Sequence, residues 1–259
     1  MKGLICALVL TGAFVSTAWG QAAPTKVADA APGDVRIFIS NGIRGAVERM
    51  RPQLEQAAGG RLVMESGRAR DVQSHIEAGQ AFEVALLTDS VIDELIAKGK
   101  VAKAGRADIA MLRIGVAMRG DAPKPDISTP DALSKAVLGA RSVRRNFGVG
   151  ASVAPVDFLF EKMALGAAGA AKVVPSDNAT PDTPPKPGEY DLFFNLASEL
   201  VTSQAWAYLG LAPEPFQLPV RMTAGIGPLG DAKKAAAVLE VLEGPAFDPA
   251  LAAFETRRN

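Results

Sequence analysis

Apolar residues recur along this chain with two alternating periods. Val35 to Ile39 is a short β-branched run, the signature of a buried strand. Ile43, Val47, Met50 and Leu54 then follow at spacings of four, three and four, one face of an amphipathic helix. Pro52 falls inside that helix and predicts a kink or an early end, because it has no amide proton and crowds the carbonyl one turn back. Gly59-Gly60 stops it. The alternation repeats twice. A strand over 61–65 precedes a helix running to about Ala78. A strand over 83–87 precedes a helix that opens at Thr88-Asp89, carries Val91, Ile92, Leu95 and Ile96, and closes at Gly99. Strand, short polar turn, helix, three times over, predicts βαβ units and a parallel sheet.

Further along, Ile109 to Met118 reads as one long extended segment. A helix start follows at Ser128-Thr129-Pro130-Asp131. The pattern then predicts a strand over 140–145, a helix over 153–165, a strand over 172–175, an exposed proline-dense loop over 178–188, a strand over 190–195 and a helix over 198–208. Residues 216–226 are again extended, 232–242 are amphipathic, and a terminal helix follows. The extended segments near 113 and 220 bracket a second αβ unit. This predicts an α/β chain of two lobes joined by two crossovers, with lobe 1 formed by 34–112 plus 221–259 and lobe 2 by 113–220. No internal repeat is strong enough to align.

The N-terminus changes the picture of where this chain resides. Lys2, the apolar stretch Leu4 to Val15 and the small residues of Ala18-Trp19-Gly20 read as a cleaved secretory signal over 1–20; the stretch is too short to span a bilayer. Residues 21–33, rich in Ala and Pro, read as a flexible leader. Cys6 falls within the signal, so the exported chain has no cysteine and its core must stabilise it without disulfides. Hydrophobic residues are 48% of the chain, enough for a real core, and cations and acids are equal at 28 each. Such a balance gives no global field to gather nucleic acid or an anionic membrane. No further segment is long and apolar enough to span a bilayer.

Parallel sheets place ligands at the carboxyl ends of their strands, where helix N-termini also point. Ser40-Asn41-Gly42 and Ser66-Gly67 sit at equivalent positions on that rim. The opening strand–turn–helix, the segment "VQSHIEAGQAFEVALLTDSVIDELIAKGKV" (72–101), "ISTPDAL" (127–133) and "LEVLEGPAFDPALAAF" (239–254) together resemble bacterial periplasmic solute-binding proteins of the molybdate-binding type. The resemblance covers nearly all of the chain after the signal. It implies a two-lobed Venus-flytrap fold that closes on a small anion in the periplasm and hands it to an ABC permease, with no cofactor and no catalytic residue. Carried over by position, the ligand groups fall on Ser40, Asn41, Ser66, Gly67, Arg68, Ala151, Ser152 and Asn195. The turns themselves depart from the family: Ile39-Ser40-Asn41-Gly42 stands in place of alanine-alanine-serine, "ESGRARD" (65–71) in place of a glycine- and serine-rich turn, and "RRNFGVGASVAP" (144–155) lacks the tyrosine.

Those departures bring in charge. Hydroxyls, amides and backbone N–H groups suffice for a tetrahedral oxyanion, and Ser40, Asn41, Ser66 and Ser152 suit that. Arg44, Arg68, Arg70, Arg144 and Arg145 also lie near the rim, and guanidinium forks match carboxylates bidentately. Each of these arginines could instead pair with a neighbour such as Glu48, Asp71 or Glu77. Arg68, beside the turn, and Arg145, before the Gly-rich turn at 148–150, are the preferred cationic ligands, and Phe147 could wall the pocket. The expected ligand is therefore an organic carboxylate, with molybdate or tungstate as the alternative. Gly42, Gly67, Gly148 and Gly150 would let backbone N–H groups approach it. Asp89 reads as a helix cap. His75 is the only histidine and reads as a surface residue. With one histidine and no cysteine after the signal, thiol catalysis and His-rich zinc sites are excluded. A serine hydrolase on the same scaffold lacks both a nucleophile elbow and a Ser–His pair.

Overall fold

The computed structural model describes residues 31–121, 123–146, 150–176, 181–185 and 188–258. The signal over 1–20, most of the leader, Phe147, Gly148 and much of the proline-dense loop lie outside the described residues. Strand β1 (Val35–Ser40) runs directly into helix α1 (Asn41–Arg49). The helix stops at Met50, and α2 (Arg51–Ala58) restarts with Pro52 in its first turn, so the proline breaks the helix as the sequence predicts. Gly59 ends α2 in the left-handed region, at φ 64°. Strand β2 (Leu62–Gly67), α3 (Ala69–Glu77), β3 (Val84–Thr88) and α4 (Asp89–Ala97) complete the three βα units. Strands β4 (Ala102–Leu112) and β5 (Ile114–Met118) follow, then α5 (Pro130–Gly139), β6 (Val143–Asn146), α6 (Val153–Met163), α7 (Gly166–Ala170), β7 (Val173–Ser176), β8 (Leu192–Leu196), α8 (Ala197–Leu200), β9 (Ala207–Leu211), β10 (Val220–Ile226), α9 (Ala232–Glu243) and α10 (Asp248–Ala253). The start expected near Ser128 is α5, whose first turn is capped by Thr129 Oγ1 accepting from the Ala132 amide at 3.1 Å.

The strands form two five-stranded sheets, ordered β2-β1-β3-β10-β4 and β7-β6-β8-β5-β9. In each, three strands are parallel, and the strand in the fourth place runs antiparallel to both neighbours. The second sheet repeats the topology of the first, a repeat the residues themselves do not advertise. Two expectations are corrected. Residues 109–118 are not one strand: Arg113 separates β4 from β5, which belong to different sheets. Residues 198–208 are not one helix: α8 ends at Leu200, and β9 begins at Ala207. Both sheets are covered on two faces, which suits parallel strands read as continuous apolar runs. Ile37 and Ile39 enter the main core while Phe38 points to a second cluster with Phe82 and Leu87. In the second sheet, Phe194 enters the main core and Phe193 packs with Tyr190 and Trp206.

The chain passes between the sheets at Arg113 and again over 212–219. Gln217, 8% exposed, ties these passages together. Its side-chain oxygen accepts from the Ile114 amide, and its Nε2 donates to the carbonyls of Ile114 and Ala212, all at 2.8 Å. Buried backbone groups left unpaired at such a crossing would each be costly. Helix α1 meets the second sheet through Gly42, where an added Cβ would lie 2.7 Å from Leu112 Cδ1 and 2.8 Å from Leu196 Cδ1.

Candidate functional site

A cleft of about 700 Å³ opens where the carboxyl ends of strands from both sheets face each other. From the first sheet, the β1–α1 junction supplies Ser40, Asn41 and Arg44, and the β2–α3 junction supplies Gly67, Arg68 and Asp71. From the second, β6 supplies Asn146, the start of α6 supplies Gly150, Ala151 and Ser152, and the β8–α8 junction supplies Asn195, Ser198 and Glu199. Pro181 and Asp182 close one side.

A hydrogen-bonded chain runs along the second-sheet wall. Asn146 Nδ2 donates to Ser152 Oγ at 3.2 Å and to Asn195 Oδ1 at 3.4 Å. Asn195 Oδ1 also accepts from the Leu196 amide at 2.8 Å, so its Nδ2 is left to donate to Glu199 Oε2, at 3.1 Å. Asn195 is 1% exposed, so its amide orientation is fixed by these bonds. Two polar atoms on this wall, Asn146 Oδ1 and Ser198 Oγ, are buried without a hydrogen-bond partner among the described residues. Buried polar atoms in folded chains are nearly always paired, so both are available to an incoming group. Burial pushes the Glu199 carboxyl up to about 7; the Asn195 bond opposes the rise and the Asp182 charge adds to it.

The five rim arginines separate into distinct roles. Arg44 lines the cleft, exposed, and makes no ion pair or hydrogen bond among the described residues. Arg68 lines it while pairing with Asp71 at 2.7 Å. Arg70 turns away to Glu94 and Gln73. Arg144, 4% exposed, lies against the rings of Tyr190, Phe193 and Trp206 and donates to the Thr183 carbonyl at 3.0 Å. Arg145 pairs with Asp157 of α6.

Seven of the nine residues expected from sequence therefore stand on one cleft wall or the other: Ser40, Asn41, Gly67, Arg68, Ala151, Ser152 and Asn195. Two do not. Ser66 stays within β2, opposite Ile39, and is not part of the wall. Arg145 is drawn off by Asp157 of α6, while Arg144, facing the opposite way along β6, is taken up by the rings of Tyr190, Phe193 and Trp206. Asp89 bonds the Ser90 amide in the first turn of α4. His75 contacts Glu65, away from the cleft. The sequence pattern favours Arg68 and Arg145 over Arg44 and does not single out Asn146, Ser198 or Glu199. An acid alone in the apolar stretch "LFFNLASEL" (192–200) was the available signal for Glu199, since a lone buried carboxyl is rarely structural.

A profile of bacterial extracellular solute-binding proteins matches residues 35–254. The chain belongs to that family. Among solved structures it resembles the periplasmic molybdate-binding protein of Azotobacter vinelandii, with a TM-score of 0.70 and 17% identity over 87% of this chain and 99% of that one. It also resembles Peb3 of Campylobacter jejuni, with a TM-score of 0.65 and 7% identity over 87% of this chain and all of that one; Peb3 has also been solved with L-phospholactate bound. These structures share its two-lobed α/β fold, as the molybdate-type resemblance implies. Aconitate isomerase of a Pseudomonas species is 29% identical over 188 residues, 70% of this chain and 71% of that protein.

Proposed function

We propose that this chain is a periplasmic receptor that holds a small organic polycarboxylate in the cleft and delivers it to an ABC permease. Residues 34–112 with 221–259 act as one lobe and 113–220 as the other. The observation that carries this reading is the pair of guanidiniums on one wall, Arg44 and Arg68, the former without an ion pair among the described residues, facing neutral donors and the atoms of Asn146 and Ser198 that have no partner among those residues. A tetrahedral oxyanion needs no such pair of forks, and the cleft volume suits an organic ligand. The Pseudomonas relative is named for aconitate, a tricarboxylate, and L-phospholactate on Peb3 is also an organic anion. Thermal-shift and calorimetric titration with citrate, tricarballylate, and cis- and trans-aconitate, set beside molybdate and sulfate, tests it. A carboxylate should raise the melting temperature and bind near micromolar, about −8 kcal/mol. Stabilisation by molybdate or sulfate alone would overturn the carboxylate assignment.

A second reading is an isomerase on the same scaffold, favoured by one observation: Glu199 offers a carboxyl titrating near neutrality inside the cleft. Such a group can take a proton from the methylene of an unsaturated polycarboxylate and return one to the far carbon as the double bond shifts. Incubation with cis-aconitate, followed by chromatography for the trans isomer, separates an enzyme from a receptor.

A further inference from the structure

An acid inside an anion site sets two like charges together, and among the described residues Glu199 forms no ion pair to relieve them. Among the described residues its one hydrogen-bond partner is Asn195, which donates to Oε2. The other oxygen, Oε1, points to the start of α1 and lies 3.9 Å from where a Gly42 Cβ would stand. The elements packed against α8 bring few titratable groups. Strands β5 and β8 carry none. Strand β9 brings Tyr208, whose hydroxyl burial pushes up. Helix α1 brings Arg44, which forms no ion pair among the described residues, Arg49, and Glu48, which is held by Arg51 at 2.8 Å. The 181–185 segment brings Asp182, whose charge disfavours a second anion beside it. Ser198, 7% exposed and unpaired at Oγ, is next to Glu199 in the same wall.

Resting on the carboxylate reading above, we propose that Glu199 is the proton-holding ligand of the site, so that the cleft captures its anion together with one proton. The proton comes from solvent. It sits between Glu199 Oε1 and a ligand carboxylate oxygen as an O–H···O⁻ bond, the strong charge-assisted class. A neutral carboxyl then donates where a carboxylate would repel. The Asn195 amide assists by fixing Oε2 as the acceptor oxygen, which leaves Oε1 to carry the proton. Glu199 thereby selects for ligands that offer an acceptor oxygen at this end of the cleft. It also links affinity to pH: binding is flat in acid and weakens about tenfold per unit once the free carboxyl has ionised.

The test is calorimetric titration of the full chain with citrate and with cis- and trans-aconitate, at about pH 6 and about pH 8.5, each in buffers of low and high ionisation enthalpy. Once the ligand's own ionisation, measured in the same buffers, is subtracted, the expected result is close to one proton taken up per ligand at the higher pH and close to none at the lower. Glu199→Gln should bind at both pH values with similar affinity and no proton uptake, because the new amide gives its oxygen to Asn195 and turns its NH₂ to the ligand. Carboxylate binding without proton uptake in the wild type, needing no variant to measure, overturns the inference and leaves the carboxylate reading standing. Failure of every carboxylate to bind at either pH overturns both.

Discussion

Glu199 makes a prediction about the unliganded chain that can be worked through in advance. Its carboxyl rises from 4.5 to about 7 on folding, chiefly through burial. An acid with a raised folded-state pKa binds its proton more tightly folded than unfolded. Its ionisation therefore costs stability: nothing is lost below the unfolded value, the loss grows through the interval up to the folded value, and it is constant above. The shift corresponds to roughly 3 kcal/mol, or roughly 6–12 °C in melting temperature for a chain of this size. Glu199→Gln keeps the acceptor for Asn195 and removes the charge. The difference between the melting temperatures of variant and wild type, measured from about pH 4.5 to about pH 8.5, isolates this one group, since the others titrate alike in both proteins. The variant should match the wild type in acid and exceed it above neutrality. Parallel curves across the range would refute the reasoning and mean that water reaches the carboxylate in the folded chain.

Other consequences follow from the cleft and its supports. Arg44→Ala and Arg68→Ala should each weaken carboxylate binding about tenfold or more by calorimetry. Melting temperatures should hardly move, because Arg44 has no ion pair among the described residues and the Arg68–Asp71 pair is exposed. Gly42→Val places methyl groups against Leu112 and Leu196 and should cost about 1–3 kcal/mol in a urea titration, together with weaker binding as α1 is pushed from α8. Arg144→Ala empties the space between Tyr190, Phe193 and Trp206 and removes the donor to Thr183; a loss of roughly 2 kcal/mol or more is expected. Trp206 is the one tryptophan outside the expected signal, so its emission should shift red in this variant.

The three opening βα units were legible because each strand is an apolar run and each helix keeps its period up to a glycine or proline. The site was legible as far as topology carries it: polar residues at the carboxyl ends of parallel strands converge, and Ser40, Asn41, Gly67, Ser152 and Asn195 did. What failed depended on information that no local pattern holds. In "IAMLRIGVAM" the one turn residue, Gly115, lies inside β5 and not at the break, so the passage between sheets at Arg113 looks like one strand. "SELVTSQAWAYLGL" carries apolar residues compatible with either period, and sheet pairing with β5 decides for a strand after 207. Which way Arg144 and Arg145 point depends on the rings and the acid that surround them, and these arrive from elsewhere in the chain. The role of Glu199 needs α8 to end after one turn, and that end was read as mid-helix.

Gln217 has an effect beyond satisfying buried amides. Two separate strands of a cord can swing independently, but a clasp across them leaves a single pivot. By gripping Ile114 and Ala212 at once, this side chain fastens the outbound passage to the returning one. Replacing it with leucine would leave the Ile114 amide and the Ala212 carbonyl without this partner and unfasten the two passages, while Arg44 and Arg68 are not touched by the change. On the receptor reading proposed above, the register of the two cleft walls would thus rest on an amide that lies outside the cleft.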